Sequence, residues 1–363
     1  MARVAVAMSG GVDSSVAALL CLEAGHEVFG VTMILRDADV AAQTAAGLMP
    51  AAVDNAQRVA SKLSIRHQVV DLREQFEALV VQHFCAEYAG GRTPNPCVVC
   101  NPVIKFGLLM DWAVAAGAEL FATGHYARIA TVDTGRLTLR TAADLHKDQS
   151  YFLYRLSQQQ LSRSIFPLGE MTKVEVRSIA EAAGLPSART QDSQDLCFVS
   201  PAGYRALVKS HNPGAVQPGP VYDLTGRRVG THHGIASYTV GQRRGIGVAA
   251  PGPQYVLAID GLSNSLVIGP AAAAACEGFA VVDCHWLAVE RLVDPLGVEV
   301  KLRHATRRLS ATVSPGPVDS LATVRLAIPQ IGVTPGQAAV FYLGELVLGG
   351  GTIMLPTGPI TVK

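Results

Sequence analysis

Residues Ser9 to Ser15 read Ser-Gly-Gly-Val-Asp-Ser-Ser, between the apolar run Arg3 to Met8 and the helical pattern Val12, Val16, Leu19, Leu20. A glycine-rich turn joining a buried strand to a helix start presents backbone N–H groups and the positive end of the helix dipole, which together make a polyphosphate site. The chain is therefore expected to bind a nucleotide. It has no Gly-x-x-x-x-Gly-Lys-Ser/Thr, so no lysine is supplied to a γ-phosphate, and no Gly-x-Gly-x-x-Gly for a dinucleotide. The loop offers three hydroxyls (Ser9, Ser14, Ser15), two adjacent glycines and the Asp13 carboxylate.

Thiols are the second group with chemistry to offer. Cys97 and Cys100 lie in Arg92-Thr93-Pro94-Asn95-Pro96-Cys97-Val98-Val99-Cys100-Asn101. Two prolines exclude a helix interior or a central strand, so both are expected to be loop thiols. A lone Cys-x-x-Cys is half a zinc site, a redox pair or incidental, and with no second pair or nearby His pair zinc is disfavoured. Cys197, in Asp192-Ser193-Gln194-Asp195-Leu196-Cys197-Phe198, is the other candidate. Cys21 and Cys85 lie in apolar helical patterns that read as packing, and Cys276 and Cys284 carry no local signal.

The elements that must position these groups alternate in type as far as about residue 205. After the first strand-turn-helix come a strand (26–35), a helix (54–63), a strand (66–72), helices (73–89 and 106–116), a strand (119–127) and a helix (172–183). Such alternation implies βαβ crossovers and a largely parallel sheet with helices on both faces. Ligands then bind at the carboxyl ends of the strands, where the Ser9 loop and Gly124-His125-Tyr126 would both sit. The alanine-rich stretch 38–52 has no period and reads as a surface loop. Beyond Tyr204, Gly-Pro punctuation separates short β-rich runs such as 255–259 and 266–268. This reads as a small β domain ending near Gly269-Pro270, an Ala271 to Ala275 linker and a second β-rich domain.

At 363 residues, two or three domains are expected. Charged residues at 16% and apolar ones at 49% exclude a disordered chain. No run approaches the roughly 18 uninterrupted apolar residues of a membrane span, and a strand beginning at Arg3 leaves no room for a leader. A cytosolic setting without a membrane is the expectation, and there seven cysteines suggest reactive or metal-binding thiols more than a disulfide framework. A net charge of +1 taken alone argues against a nucleic-acid partner, but the distribution of charge is more informative. In Val298-Glu299-Val300-Lys301-Leu302-Arg303 apolar and charged residues alternate, putting Lys301 and Arg303 on an exposed strand face. With Arg307-Arg308, Arg243-Arg244 and Arg227-Arg228 they suggest a basic track.

The loop resembles the pyrophosphate loop of ATP pyrophosphatases, which cleave ATP between the α- and β-phosphates; by that resemblance its hydroxyls and amides hold pyrophosphate and Asp13 helps to place Mg²⁺. Over nearly its full length the chain resembles the tRNA-specific 2-thiouridylases. The resemblance runs in order through Met8 to Ser15, Gly91 to Pro96, Ile104-Lys105-Phe106, Ala122 to Tyr126, Lys147 to Leu153, Leu196-Cys197-Phe198, Val240 to Gly245 and Thr334 to Tyr342. It implies an α/β ATP-pyrophosphatase domain over 1–205, of the adenine nucleotide α-hydrolase kind, a small central β domain over 206–272 and a C-terminal, tRNA-binding β-barrel over 273–363.

Residue by residue, the resemblance makes Cys100 the nucleophile and Cys197 the carrier of a persulfide. It puts Ala7, Met8, Ser9, Gly10, Gly11, Val12, Asp13, Ser14, Met33 and Gly124 at ATP-contacting positions. Asn95, Pro96, Cys97, His125, Lys147, Asp148, Gln149, Arg303, His304 and Gln337 fall at positions that meet tRNA. The implied substrate is the wobble uridine of the anticodon loop, flipped out to be reached, and the sulfur comes from a persulfide donor or relay protein. The uracil C2 oxygen leaves poorly until ATP adenylates it. A persulfide on Cys197 then supplies sulfur, and Cys100 breaks the S–S bond by forming a disulfide with Cys197. An iron–sulfur cluster on Cys97, Cys100 and Cys197 is the rival to this route, less favoured because three cysteines leave a cubane one ligand short. Rivals in function are another ATP pyrophosphatase (a tRNA thiolase at a different base, or an amidotransferase-type synthetase) and a binding protein without catalysis. Two features depart from many relatives: no cysteine pair lies in 38–52, and Cys97 stands where some relatives carry Asp.

Overall fold

The computed structural model describes residues 1–36, 50–190, 196–200 and 202–355. The expected surface loop over 38–52 falls largely outside them; Ala51 and Ala52 open a helix. The chain divides into two compact units, one of 1–80, 97–198 and 345–347, the other of 81–96, 199–344 and 348–363.

In the first unit, β1 (Arg3–Ala7), β2 (Glu27–Ile34), β3 (Arg66–Asp71) and β4 (Leu120–Thr123) are parallel strands, joined in the order β3-β2-β1-β4-β7 by a short β7 (Ser164–Ile165). An antiparallel hairpin, β5 (Arg128–Thr131) and β6 (Leu137–Arg140), lies between β4 and β7 in the chain. Helices α1 (Val12–Glu23) and α2 (Ala51–Lys62) make the first two crossovers. Val4, Ala5 and Val6 are fully buried because β1 is central in a sheet covered on both faces, which is why its sequence is continuously apolar and not alternating. The chain runs outward from β1 to β3, then returns to place β4 on the other side of β1. That reversal opens a crevice at the carboxyl ends of β1 and β4.

The two cysteines expected on a loop lie instead on a helix. Helix α3 (Pro96–Ala115) starts at Pro96, where a missing N–H costs nothing and the ring's fixed φ suits the first turn. Its middle, Asn101–Leu109, is π-helical, with α-helical turns on either side. Pro102 has no N–H to give back to the preceding turn and its ring crowds the carbonyl four residues earlier; a widened turn relieves both. By length and composition these 20 residues could cross a membrane. However, Ile104, Phe106, Leu109 and Met110 are buried, and Phe106 packs edge-on against Phe121 and Phe166 of the same unit. Helix α4 (Lys173–Ala182) is closed at its start by a reciprocal capping box between Thr172 and Glu175.

In the second unit β8 (Gly219–Tyr222), β9 (Arg228–His232), β10 (Tyr255–Asp260) and β11 (Ser265–Gly269) form a small sheet in the order β10-β11-β8-β9. The expected linker 271–275 is one helical turn, Ala271–Ala274, as four alanines allow. Beyond it β12 (Ala275–Trp286), β13 (Leu296–Lys301), β14 (Leu309–Pro315), β15 (Ala322–Ile331), β16 (Ala338–Leu343) and β17 (Leu346–Met354) pair antiparallel in the order β12-β15-β14-β13-β16-β17. The pairing of β12 with β17 closes a six-stranded barrel and leaves it no open edge. Strand β13 ends at Lys301, so the expected exposed strand face does not reach Arg303, which is half-buried in the following turn.

Candidate active site

The Ser9–Ser15 loop leaves β1 at its carboxyl end and enters α1, whose N-cap Gly11 has no side chain to cap the first turn. The hydroxyls shape the turn: Ser14 Oγ lies 3.3 Å from Ser9 Oγ and accepts from the Ser9 N–H at 3.1 Å, while Ser14 and Ser15 donate to the Gly11 carbonyl at 3.1 and 2.8 Å. Gly10 has φ +76°, and a Cβ there would stand 2.6 Å from the Ala52 carbonyl oxygen. Gly124 follows β4, and a Cβ on it would meet the Asp13 and Ser14 backbone at 2.7 Å. Met33 sits near the carboxyl end of β2, the other neighbour of β1. The topology therefore brings Ala7 to Ser14, Met33 and Gly124 to one end of three adjacent strands.

Asp13 does not stand open to a cation. Lys173 Nζ, nearly buried, donates to its two oxygens at 2.7 and 2.8 Å, and the Tyr126 hydroxyl donates to one at 2.8 Å. Nothing local in the sequence marks Lys173 as a site residue. A lysine at the first position of a helix reads as solvated, and only the packing of α4 against α1 turns it toward the loop. Among the described residues no three His, Cys, Asp or Glu side chains are grouped as a metal site.

The thiols gather in the same unit. Cys97 and Cys100 are one helical turn apart and half-buried, and Cys197 is exposed. Cys197 is close enough for its charge to act on both of the others. Burial pushes the Cys100 thiol up to about 12; Lys105 pulls it down, and Cys197 and Cys97 add to the rise. Burial also raises Cys97, with Cys197 adding and Lys105 opposing. Lys105 Nζ lies 3.3 Å from His125 Nε2, and His125 Nδ1 lies 2.8 Å from Thr123 Oγ1. Burial, with the Lys105 charge beside it, holds His125 well below the usual histidine range, so its ring is neutral. An ammonium has no lone pair, so Nε2 accepts from Lys105 and Nδ1–H donates to Thr123.

The remaining expected residues divide by surroundings. Asp148 is buried, and its oxygens accept from the Ala142 and Ser150 N–H groups and the Ser150 hydroxyl, so it shapes the turn that carries Lys147. Gln149 accepts from the Tyr126 N–H at 3.0 Å. In the second unit Gln337 donates to the Thr93 carbonyl at 2.7 Å, fixing the approach to Asn95 and Pro96. Arg303 donates to Gly332 O at 3.1 Å and to Thr334 Oγ1. His304 is half-buried in the same turn. Arg308 stacks 3.7 Å above the Tyr342 ring and pairs with Glu299. Arg227, Arg228, Arg243, Arg244 and Arg307 are exposed.

A parallel sheet with a glycine-rich loop at its reversal point defines a nucleotide-binding α/β enzyme, here with three thiols in the same unit. Models described as the tRNA methyl transferase HUP domain, the tRNA methyl transferase PRC-barrel domain and the aminomethyltransferase β-barrel domain match residues 2–201, 207–270 and 276–353. The tRNA-specific 2-thiouridylase MnmA of Chloroflexus aurantiacus is 48% identical over 98% of this chain and 99% of its own. That of Heliobacterium modesticaldum is 46% identical over 97% and 92%, and that of Pelotomaculum thermopropionicum 44% over 97% and 97%. The chain belongs to the tRNA-specific 2-thiouridylase family.

Proposed function

We propose that this protein is a cytoplasmic, membrane-independent enzyme that converts the wobble uridine of tRNA to 2-thiouridine, using ATP and a persulfide delivered by a donor protein. The observation that carries the reading is the grouping of Cys97, Cys100 and Cys197 in the unit whose sheet carries the glycine loop. Methyl transfer, which two of the matched models name, needs no thiol to carry sulfur and a second to release it; thiolation uses both.

In this reading the amides and hydroxyls of Ser9 to Ser15 and the start of α1 receive the β- and γ-phosphates, and Met33 and Gly124 border the nucleoside. The C2 oxygen of uridine attacks the α-phosphorus, pyrophosphate leaves, and C2 carries AMP as a leaving group. The terminal sulfur of the Cys197 persulfide attacks C2 and AMP departs. The Cys100 thiolate then attacks Cys197 Sγ, a Cys100–Cys197 disulfide forms, and the electron pair of the cleaved S–S bond stays on the sulfur now attached to C2. An external dithiol reduces the disulfide before the next turnover. Mg²⁺ would be carried by the phosphates of ATP and neutralise their charge, since Asp13 is held by Lys173. In the first unit Cys97, His125, Lys147 and Gln149 border the flipped base, Asn95 and Pro96 of the second unit meet tRNA, and the cluster-free route is retained.

The test is incubation of the purified chain with unmodified tRNA, ATP and a persulfide donor, followed by nucleoside mass spectrometry and assay of released pyrophosphate. The expected outcome is 2-thiouridine matched by AMP and pyrophosphate, abolished in Cys100→Ser and Cys197→Ser and retained in Cys21→Ser and Cys276→Ser. Release of ADP and phosphate instead would overturn the reading.

A further inference from the structure

We propose that Lys105 is a positioning residue for the Cys100 thiolate, and that the π-helical stretch after Cys100 is the device that turns the Lys105 ammonium onto the face of α3 that carries the cysteines. This rests on the reading of Cys100 as the resolving thiol, but its central measurement needs neither tRNA nor ATP.

The helix geometry carries the argument. Five steps around an α-helix would put Lys105 about 140° away from Cys100. The residues between them belong to the stretch Asn101–Leu109, where the hydrogen-bonded neighbour is i+5 and a turn takes roughly 4.4 residues, so the offset falls to about 50°. Cys97, Cys100 and Lys105 therefore share one face, with Cys97 and Cys100 set by the α-helical turn before the change.

The wide turn is held in place. Gln160 Nε2 donates to the Pro102 carbonyl at 2.8 Å and to the Phe106 carbonyl at 3.0 Å, bridging two carbonyls of the π-helical stretch. Asn101 Nδ2 donates to the Phe152 carbonyl at 3.2 Å at the start of that stretch. The ammonium is held as well. Its acceptor, His125 Nε2 at 3.3 Å, belongs to a ring fixed by Thr123 and set against Phe106 and Phe166 at 5.8 and 6.2 Å between ring centres.

Among the described residues the charged and titratable groups facing Cys100 are Lys105, Cys97 and Cys197, with the neutral His125 behind Lys105. Lys105 is the only one of them that favours a thiolate at Cys100; burial and the two other thiols oppose it. Cys100 loses its proton to solvent water before it attacks, and no proton passes to or from Lys105. Its role is electrostatic: it raises the fraction of thiolate available to form the Cys100–Cys197 bond.

The experiment is iodoacetamide alkylation of the full chain from pH 6 to 10, with the rate at Cys100 read by peptide mass spectrometry in the unsubstituted protein, Lys105→Met and Lys105→Arg. Loss of the charge is expected to slow Cys100 alkylation at fixed neutral pH by about tenfold and to move the whole profile to higher pH. Arginine should restore most of the rate. Single-turnover thiolation should fall in Lys105→Met by a similar factor and recover as the pH rises, with the KM for tRNA and ATP unchanged. Should Lys105→Met fail to fold, Lys105→Gln against Lys105→Arg gives the same comparison. Identical alkylation profiles with and without the charge would overturn the proposal, as would a raised KM for tRNA or ATP beside an unchanged profile. A shifted profile in a protein that makes no 2-thiouridine would uphold the role of Lys105 and overturn the functional reading instead.

Discussion

The nearly buried Lys173 ammonium pairs with the partly exposed Asp13 carboxylate, in a loop whose other polar groups are hydroxyls and amides. Losing Lys173 removes two of the three hydrogen bonds that orient the Asp13 carboxylate, and losing Asp13 would leave a nearly buried ammonium without its partner. The pair holds the first turn of α1, and with it the donors proposed to receive pyrophosphate. Lys173→Met is therefore expected to lower tRNA-dependent pyrophosphate release by about 100-fold or more, the range seen when a preorganised electrostatic contact is lost. Tyr126→Phe removes one of three hydrogen bonds to Asp13 and should cost about tenfold or less. Lys173→Met within twofold of the unsubstituted enzyme would show that the ion pair has no part in the chemistry.

At the scale of elements, the crevice between β1 and β4 depends on how closely two loops approach. Gly124 has no space for a Cβ because the Asp13 and Ser14 backbone is already there. Gly124→Ala must push the loop after β4 away from the start of α1 or shift the glycine loop itself. Affinity for ATP, measured by calorimetry, is expected to fall tenfold or more, about 1.4 kcal/mol, while circular dichroism stays unchanged. Unchanged ATP affinity would mean that the nucleotide does not bind between these loops.

For the molecule as a whole, the second unit's arginines are not equivalent. Arg308 is engaged by Tyr342 and Glu299, and Arg303 by Gly332 and Thr334, whereas Arg243 and Arg244 are exposed. Each phosphate contact contributes roughly 0.7–0.9 to the slope of log K against log salt. Arg244→Ala should therefore lower the slope for tRNA binding by close to one unit, and Arg308→Ala should change it little. Arg303→Ala should act through the turn it braces, with a loss of thermal stability beside any loss of affinity. Equal slopes for Arg244→Ala and the unsubstituted protein would remove the exposed pair from the tRNA path.

The parallel sheet was legible in the sequence because local pattern decides it: a continuously apolar β1, a Gly-Gly turn and a helical repeat from Val12 are all short-range features, and the elements form within a few residues of the expected bounds. Cys97 and Cys100 were misplaced on a loop because proline was weighed as a breaker. Pro96 opens the helix, and Pro102 is accommodated by the π-helical turn that Gln160 braces. Lys173, Lys105 and Gln160 were not legible as site residues. Each is a polar residue with no local chemical signal, and what gives it a role is a partner distant in sequence: Asp13, His125, and the Pro102 and Phe106 carbonyls. Local preferences write the elements and the loop between them into the sequence. Which charged groups leave solvent and face one another is decided only when long-range packing brings those elements together, because the cost of burying a charge depends on the partner it finds there.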